Sequence, residues 1–207
     1  GEKMYFSTKN VQNLLYQALN KNSFNDPSKV LANFVDQISK TVHLSEITQS
    51  VTETARNLTG ADGITFVLRE DNQCYYADEN AISPLWKNKR FPSSACISGW
   101  AMENKKVVII QDIYQDERIP HDAYRPTFVK SLCIIPIRIE NPVGVIGAYW
   151  KNEHTPSQEE IKILQIIANC TSTVFENLEL KASIQKKTHQ NNELEKIAHY
   201  ITHDLKN

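Results

Sequence analysis

The 207 residues hold only six glycines, and none falls into a GxGxxG or GxxxxGK[ST] pattern, so the backbone cradles that hold nucleotide phosphates are missing. The four cysteines, Cys74, Cys96, Cys133 and Cys170, form no CxxC pair. That spacing argues against a zinc site or a disulfide framework and suits thiols in a reducing compartment. Neither sign of charge dominates. With a net charge of −1 and only scattered lysine pairs, nucleic acid and anionic membrane surfaces are poor partners. Long apolar runs are absent: a stretch such as Val107–Ile110 is far too short to span a bilayer, and no secretory pattern opens the chain, so a cytoplasmic location is expected.

What is present suffices for one globular unit. A hydrophobic content of 41% supports a single core, with helical extensions outside it. Residues 1–29 carry an amphipathic segment, with Val11, Leu14, Leu15, Ala18 and Leu19 on one face. Helical periodicity then returns twice, in Val30, Leu31, Phe34, Val35, Ile38 and Val42 and in Leu44, Ile47, Val51, Ala55 and Leu58, before Gly60-Ala-Asp-Gly63 stops it. From Gly63 the period becomes that of a strand. Segments 64–69, 73–77, 107–112, 132–140 and 143–151 are rich in β-branched and aromatic residues. In the fourth, Cys133, Ile135, Ile137 and Ile139 line one face and Leu132 and Ile134 the other, which predicts a sheet covered on both sides. The short Asn141-Pro142 connection makes the last two strands an antiparallel hairpin, and the fold class is α+β.

Residues 157–207 read as one helix without Gly or Pro, roughly 75 Å long at ~1.5 Å per residue. Its start is marked either by Thr155 with Pro156 or by Ser157 with Glu160 as a capping box. Leu164, Ala168, Thr171, Phe175 and Leu178 form one apolar stripe; Leu194, Ala198, Ile201 and Leu205 form another, out of register by two residues. The polar run Lys186–Asn192 is where the slip is expected. If the second stripe is a buried seam, His203 lies about 200° away from Ile201 and faces water.

An exposed His followed by an acid on such a helix, His203-Asp204-Leu-Lys-Asn207, resembles the phospho-acceptor segment of a two-component sensor histidine kinase. The resemblance implies that His203 is the nucleophile toward the γ-phosphate of ATP, that Asp204 handles or orients the ring proton, and that Asn207 positions a water for dephosphorylation. A neutral imidazole is available for this near pH 7. ATP and Mg would be held by a kinase domain that is not in this chain, since the Gly-rich acidic boxes of that domain are missing. The chain is therefore expected to be a fragment of a longer protein-histidine kinase, inactive alone, with a response regulator receiver domain as partner. His199 and His203 stand four apart, but no third metal ligand accompanies them.

The order of the preceding elements is similar to a GAF domain. Two helices lead to Gly60-Ala-Asp-Gly63, then come Ile97-Ser-Gly-Trp-Ala-Met-Glu-Asn104, Ser131-Leu-Cys-Ile-Ile-Pro-Ile137 and Gly144-Val-Ile-Gly-Ala148. That resemblance divides the chain into an N-terminal extension (1–29), a sensor domain (30–180) and a signalling helix with a truncated phospho-acceptor segment (181–207). It implies an antiparallel sheet with terminal helices on one face and pocket loops on the other, and a homodimer through the terminal helices. The pocket would be lined by Trp86, Arg90, Cys96, Trp100, His121, Tyr124, Arg125 and Thr127, a set suited to a planar or anionic small molecule whose identity is unknown. Related domains also include bilin photoreceptors, which would need a Cys near Ile119, and thiol-dependent reductases of free methionine sulfoxide, for which Cys96 and Cys133 would be the pair.

Overall fold

The computed structural model describes residues 26–204, apart from the side chains of Tyr200 and of residues 202–204. The amphipathic stretch Val11–Leu19 and the side chains of His203, Asp204 and Asn207 lie outside the described set.

Helix α1 (Pro27–Lys40) starts where Asp26 accepts a hydrogen bond from Ser28 N at 3.0 Å and Pro27 supplies a preset φ. It buries Phe34 and Ile38, two members of the predicted stripe. Helix α2 (Leu44–Thr59) buries Ile47, Val51 and Ala55 and ends at Gly60, whose φ of 63° few other residues would adopt cheaply. Six strands follow: β1 (Gly63–Glu70), β2 (Gln73–Ala81), β3 (Arg90–Pro92), β4 (Val108–Ile110), β5 (Ser131–Ile137) and β6 (Gly144–Trp150). They form one antiparallel sheet in the order β3-β2-β1-β6-β5-β4. Between them lie the short helices α3 (Ile97–Asn104) and α4 (His121–Tyr124), and the long helix α5 (Gln158–Asp204) closes the order.

The sheet is covered on both faces, as the alternation in β5 implies. Cys133, Ile135 and Ile137 join Phe34, Ile47, Val51, Leu164 and Ile167 under α1, α2 and α5. Leu132 and Ile134 join Trp86, Ile97, Met102 and Tyr149 beneath the loops. Strand β5 ends earlier than its apolar run suggests. Arg138 takes a left-handed φ of 61°, which breaks the alternation and leaves Ile139 exposed. The Arg138 guanidinium lies 3.3 Å from Glu176 and 3.5 Å from Glu179 on α5, with Nε and Nη2 secluded but outside hydrogen-bond geometry. This charge pairing ties the β5–β6 hairpin to α5 near the point where the helix leaves the sheet.

The capping box at Ser157 is the start that forms: Glu160 N donates to Ser157 Oγ at 3.1 Å, and Ser157 N donates to Glu160 Oε2 at 2.7 Å. Ser157→Ala should lower the unfolding free energy by about 1 kcal/mol, measurable as a shift in urea midpoint without a change in slope.

Along α5 the stripe Leu164, Ala168, Thr171 is buried against the sheet, with Phe175 and Leu178 packed at its edge. That stripe is occupied by the domain's own core. Leu180, Ile184, Leu194 and Ile201 are all more than half exposed. The series Leu180, Ile184, Lys187, Asn191, Leu194, Ala198, Ile201 steps by four and three without interruption. The change of phase therefore sits between Leu178 and Leu180, at the edge of the domain, and not within Lys186–Asn192. A helix that has finished with one surface carries a second apolar stripe on a different side, exposed and interrupted by Lys187 and Asn191. No described helix is long and apolar enough to cross a membrane.

Candidate functional site

The loop face is held against the sheet by hydrogen bonds from short turns. Glu79 on β2 accepts from Leu85 N at 3.1 Å and from Trp86 N at 3.0 Å, which fixes the segment that carries Trp86. The Trp86 ring then meets Tyr124 at 4.8 Å, Tyr76 at 5.5 Å and Tyr149 at 5.7 Å between centroids, each edge to face. Its Nε1 donates to Ala123 O at 3.4 Å. Two of the phenols are satisfied internally: Tyr149 with Thr65 at 3.0 Å and Tyr76 with Ser98 at 3.3 Å. Burial pushes all three tyrosines above the ordinary phenol range, so they stay neutral. Trp86 and Tyr124 are thus brought together, as ring packing over the centre of the sheet.

A second group lies beside it. Trp100 on α3 is covered by the Arg118 guanidinium at 4.3 Å, and Arg118 is held by Asp116 through hydrogen bonds of 2.9 and 2.6 Å. The arginine's hydrogen bonds hold Asp116 below the usual carboxylate range. His121 Nε2 lies 3.1 Å from both Ile113 O and Asp116 O, so its N–H ties α4 to the preceding turn. Lys130 pairs with Asp112 at 3.0 Å and depresses its pKa in the same way.

The remaining predicted residues are placed elsewhere. Arg90 on the edge strand β3 forms a two-pronged pair with Glu70, at 2.7 and 3.2 Å, and lies 3.8 Å over the Tyr75 ring. Arg125 is exposed beside Asp122 at 3.1 Å. Thr127 closes the α4 turn by donating to Tyr124 O at 2.6 Å. Cys96 caps the start of α3, buried on the loop face, whereas Cys133 is buried on the helix face. These two thiols therefore lie on opposite sides of the sheet and are not a pair. The cysteine that shares the Ser93 turn with Cys96 is Cys74 on β2.

Sequence reasoning passed over Glu79, Arg118 and Cys74. Arg118 lies in sequence between Trp100 and His121, two of the residues assigned to the pocket, and its neighbour Asp116 two residues earlier was the available sign of a local clasp. Nothing in the spacing of Cys74 and Cys96 marks their proximity, because β3 returns the chain over β2.

The family model for GAF domains matches residues 41–176, the stretch from the approach to α2 through the buried half of α5. The chain belongs to the GAF domain family. No curated protein matches it in sequence. Among solved structures, the GAF domain of an Acinetobacter phosphoenolpyruvate-protein phosphotransferase is similar, with TM-score 0.64 and 14% identity over 76% of this chain and 97% of that one. Free methionine-R-sulfoxide reductase from Neisseria meningitidis gives TM-score 0.64 and 14% identity, covering 75% of this chain and 91% of that one. The PixJ GAF domain of Thermosynechococcus elongatus gives 0.62 and 17%, covering 72% and 98%. At these identities the likeness is one of GAF fold, and function has to be argued from this chain's own residues.

Proposed function

We propose that this chain is the sensory and regulatory part of a sensor histidine kinase, in which the GAF domain responds to a small-molecule or redox signal and α5 carries the response to phospho-acceptor His203. The observation that supports this most is α5 itself. It is anchored in the domain by Leu164, Ile167 and Ala168, and it continues well past the sheet with an exposed four-three stripe that leads toward His203-Asp204-Leu-Lys-Asn207. A helix with this layout is built to pair with another helix beyond its own domain.

The partner we assign to that seam is a second copy in parallel. With Leu180 at a d position, Ile184 falls at a, and Asn191 is the a-position asparagine that favours an in-register parallel pair. A groove of about 210 Å³ between α1 and α5, lined by Val35, Cys170, Thr173, Asn177 and Leu178, continues the same frame onto the domain. Pairing there would place two His203 residues side by side, within reach of a kinase domain and of a response regulator receiver domain.

Two other activities of GAF proteins have less support. A bilin would need a thiol near Ile119, which is itself buried, and sulfoxide turnover by Cys96 with Cys133 would need both on one face.

The test is phosphotransfer. The chain alone should take up no label from ATP. In the full-length protein His203→Gln should abolish phosphotransfer, while Asn207→Ala should spare autophosphorylation and slow dephosphorylation. Label that persists in the His203→Gln protein, or equal loss of both activities in Asn207→Ala, would overturn the assignment.

A further inference from the structure

Cys74 and Cys96 meet the same residue. The Cys74 thiol donates to Ser93 Oγ at 3.7 Å, and the Cys96 thiol approaches Ser93 O at 4.0 Å. Both side chains are buried on the loop face of the sheet, packed against the same turn. Topology brings them together: Cys74 pairs with Phe91 across β2 and β3, and the chain then turns back through Ser93–Ala95 to set Cys96 at the start of α3. The turn is packed so closely that a Cβ on Gly99 would collide with the Ser93 carbonyl. This constrains Cys96 to its place beside β2.

We propose that Cys74 and Cys96 form a redox-active dithiol that a hydroperoxide converts to a disulfide, giving the loop face of the domain a chemical input. The proposal rests on the sensory reading above and names its signal class.

The two thiols have different roles. Cys96 stands at the N-cap position of α3, and the neighbouring Cys74 thiol together with the first-turn N–H groups of that helix holds its pKa below that of an ordinary thiol. Cys74 is pushed up by the anion it faces and by burial. Cys96 is therefore the nucleophile. Its thiolate attacks one peroxide oxygen, the O–O bond breaks, and the leaving alkoxide or hydroxide takes a proton, giving Cys96 sulfenic acid and an alcohol or water. The Cys74 sulfur then attacks the sulfenic sulfur. The S–S bond forms, the sulfenic hydroxyl leaves, and the Cys74 proton converts it to water. An open cleft of about 460 Å³, lined by Ser93, Gly99, Asn72, Trp100 and Glu103, adjoins the turn against which both thiols pack. Neither remaining thiol shares this setting. Burial raises Cys133 to about 12 on the other face of the sheet, and raises Cys170 as well.

The disulfide is read by peptide mapping of the whole chain after brief peroxide treatment and alkylation. Trypsin separates the two cysteines into Glu70–Lys87 and Phe91–Lys105. The expected product is these two peptides joined, with loss of two hydrogens, while Cys133 and Cys170 are recovered alkylated. In Cys74→Ser, a sulfenic-acid trap such as dimedone should label Cys96; in Cys96→Ser, Cys74 should stay unmodified. Circular dichroism before treatment confirms that each variant is folded, and the wild-type map stands without them. Recovery of both cysteines as thiols after the methionines have oxidised, or linkage through Cys133 or Cys170, would overturn the dithiol. The signalling reading is separated by assaying phosphate on His203 in the full-length protein. A disulfide that forms without altering phosphorylation leaves the site standing and removes its role as the signal. Phosphorylation of His203 with no disulfide retains the kinase reading and removes this inference.

Discussion

Deleting Thr188 and His189 should uncouple the two ends of α5. Two residues are about 200° of helix, so Leu194, Ala198 and Ile201 would turn to the side opposite Leu180 and Ile184. The deletion aligns them instead with Leu164, Thr171 and Leu178, a stripe already spent on the sheet. Losing burial of Leu194 and Ile201 at about 1.5–3 kcal/mol each should weaken self-association on the order of a hundredfold or more. In the full-length protein, phosphorylation should no longer follow the signal. Deleting Lys187–Glu193 is the control, because seven residues preserve the frame and place Leu194 where Lys187 stood. That protein should associate at least as tightly as wild type, since both polar interruptions are gone. Sedimentation of the two deletions side by side measures the difference. If both behave alike, the stripe is not an interface.

Trp86→Ala should cost about 3–5 kcal/mol of stability, the range for removing a large buried aromatic. The ring touches Tyr76, Tyr124 and Tyr149 at once, so truncation opens a cavity lined by three rings that cannot all close over it. The loss should appear as an early thermal transition in calorimetry. Added indole should recover part of it by occupying the vacated volume, with a midpoint that rises with indole concentration. A variant within 1 kcal/mol of wild type would mean that the loop face is adaptable there and that the rings do not form a packed core. In that case Trp86 and Tyr124 would again be candidates for an open ligand pocket.

Much of the fold was legible because its signals are periodic. The stripes of α1 and α2, the alternation in β5 and the hairpin into β6 follow directly from the spacing of Phe34 and Ile38, of Ile47 and Val51, and of Leu132 through Ile137. The short elements were not legible. β3 spans only Arg90–Pro92 and includes a proline, and α3 is a short helix whose apolar residues Ile97, Trp100, Ala101 and Met102 fall on no single face, so neither carries a clear period. The pocket residues expected from the sequence, Trp86 through Thr127, share residue type but not a common environment. Hydrogen bonding sorted them into a ring cluster, a Trp100–Arg118 clasp and surface pairs at Arg90 and Arg125. The register of α5 was misplaced for a related reason. Two stripes are visible in sequence, but which of them the domain uses for its own core depends on the sheet, and only then do Leu180 and Ile184 join Leu194.

The central claim, that α5 pairs in parallel with its copy beyond Leu178 to bring two His203 residues together, is tested most directly by disulfide trapping along the helix. Leu194→Cys and Ile201→Cys lie in the proposed seam, whereas His189→Cys and Lys196→Cys lie on its outer side. Under mild oxidation each seam variant should link rapidly to an identical chain, and the outer variants should link no faster than wild type. Equal linking at all four positions, or linking only between Ile184→Cys of one chain and Ile201→Cys of another, would contradict the parallel seam and the path to His203 that depends on it.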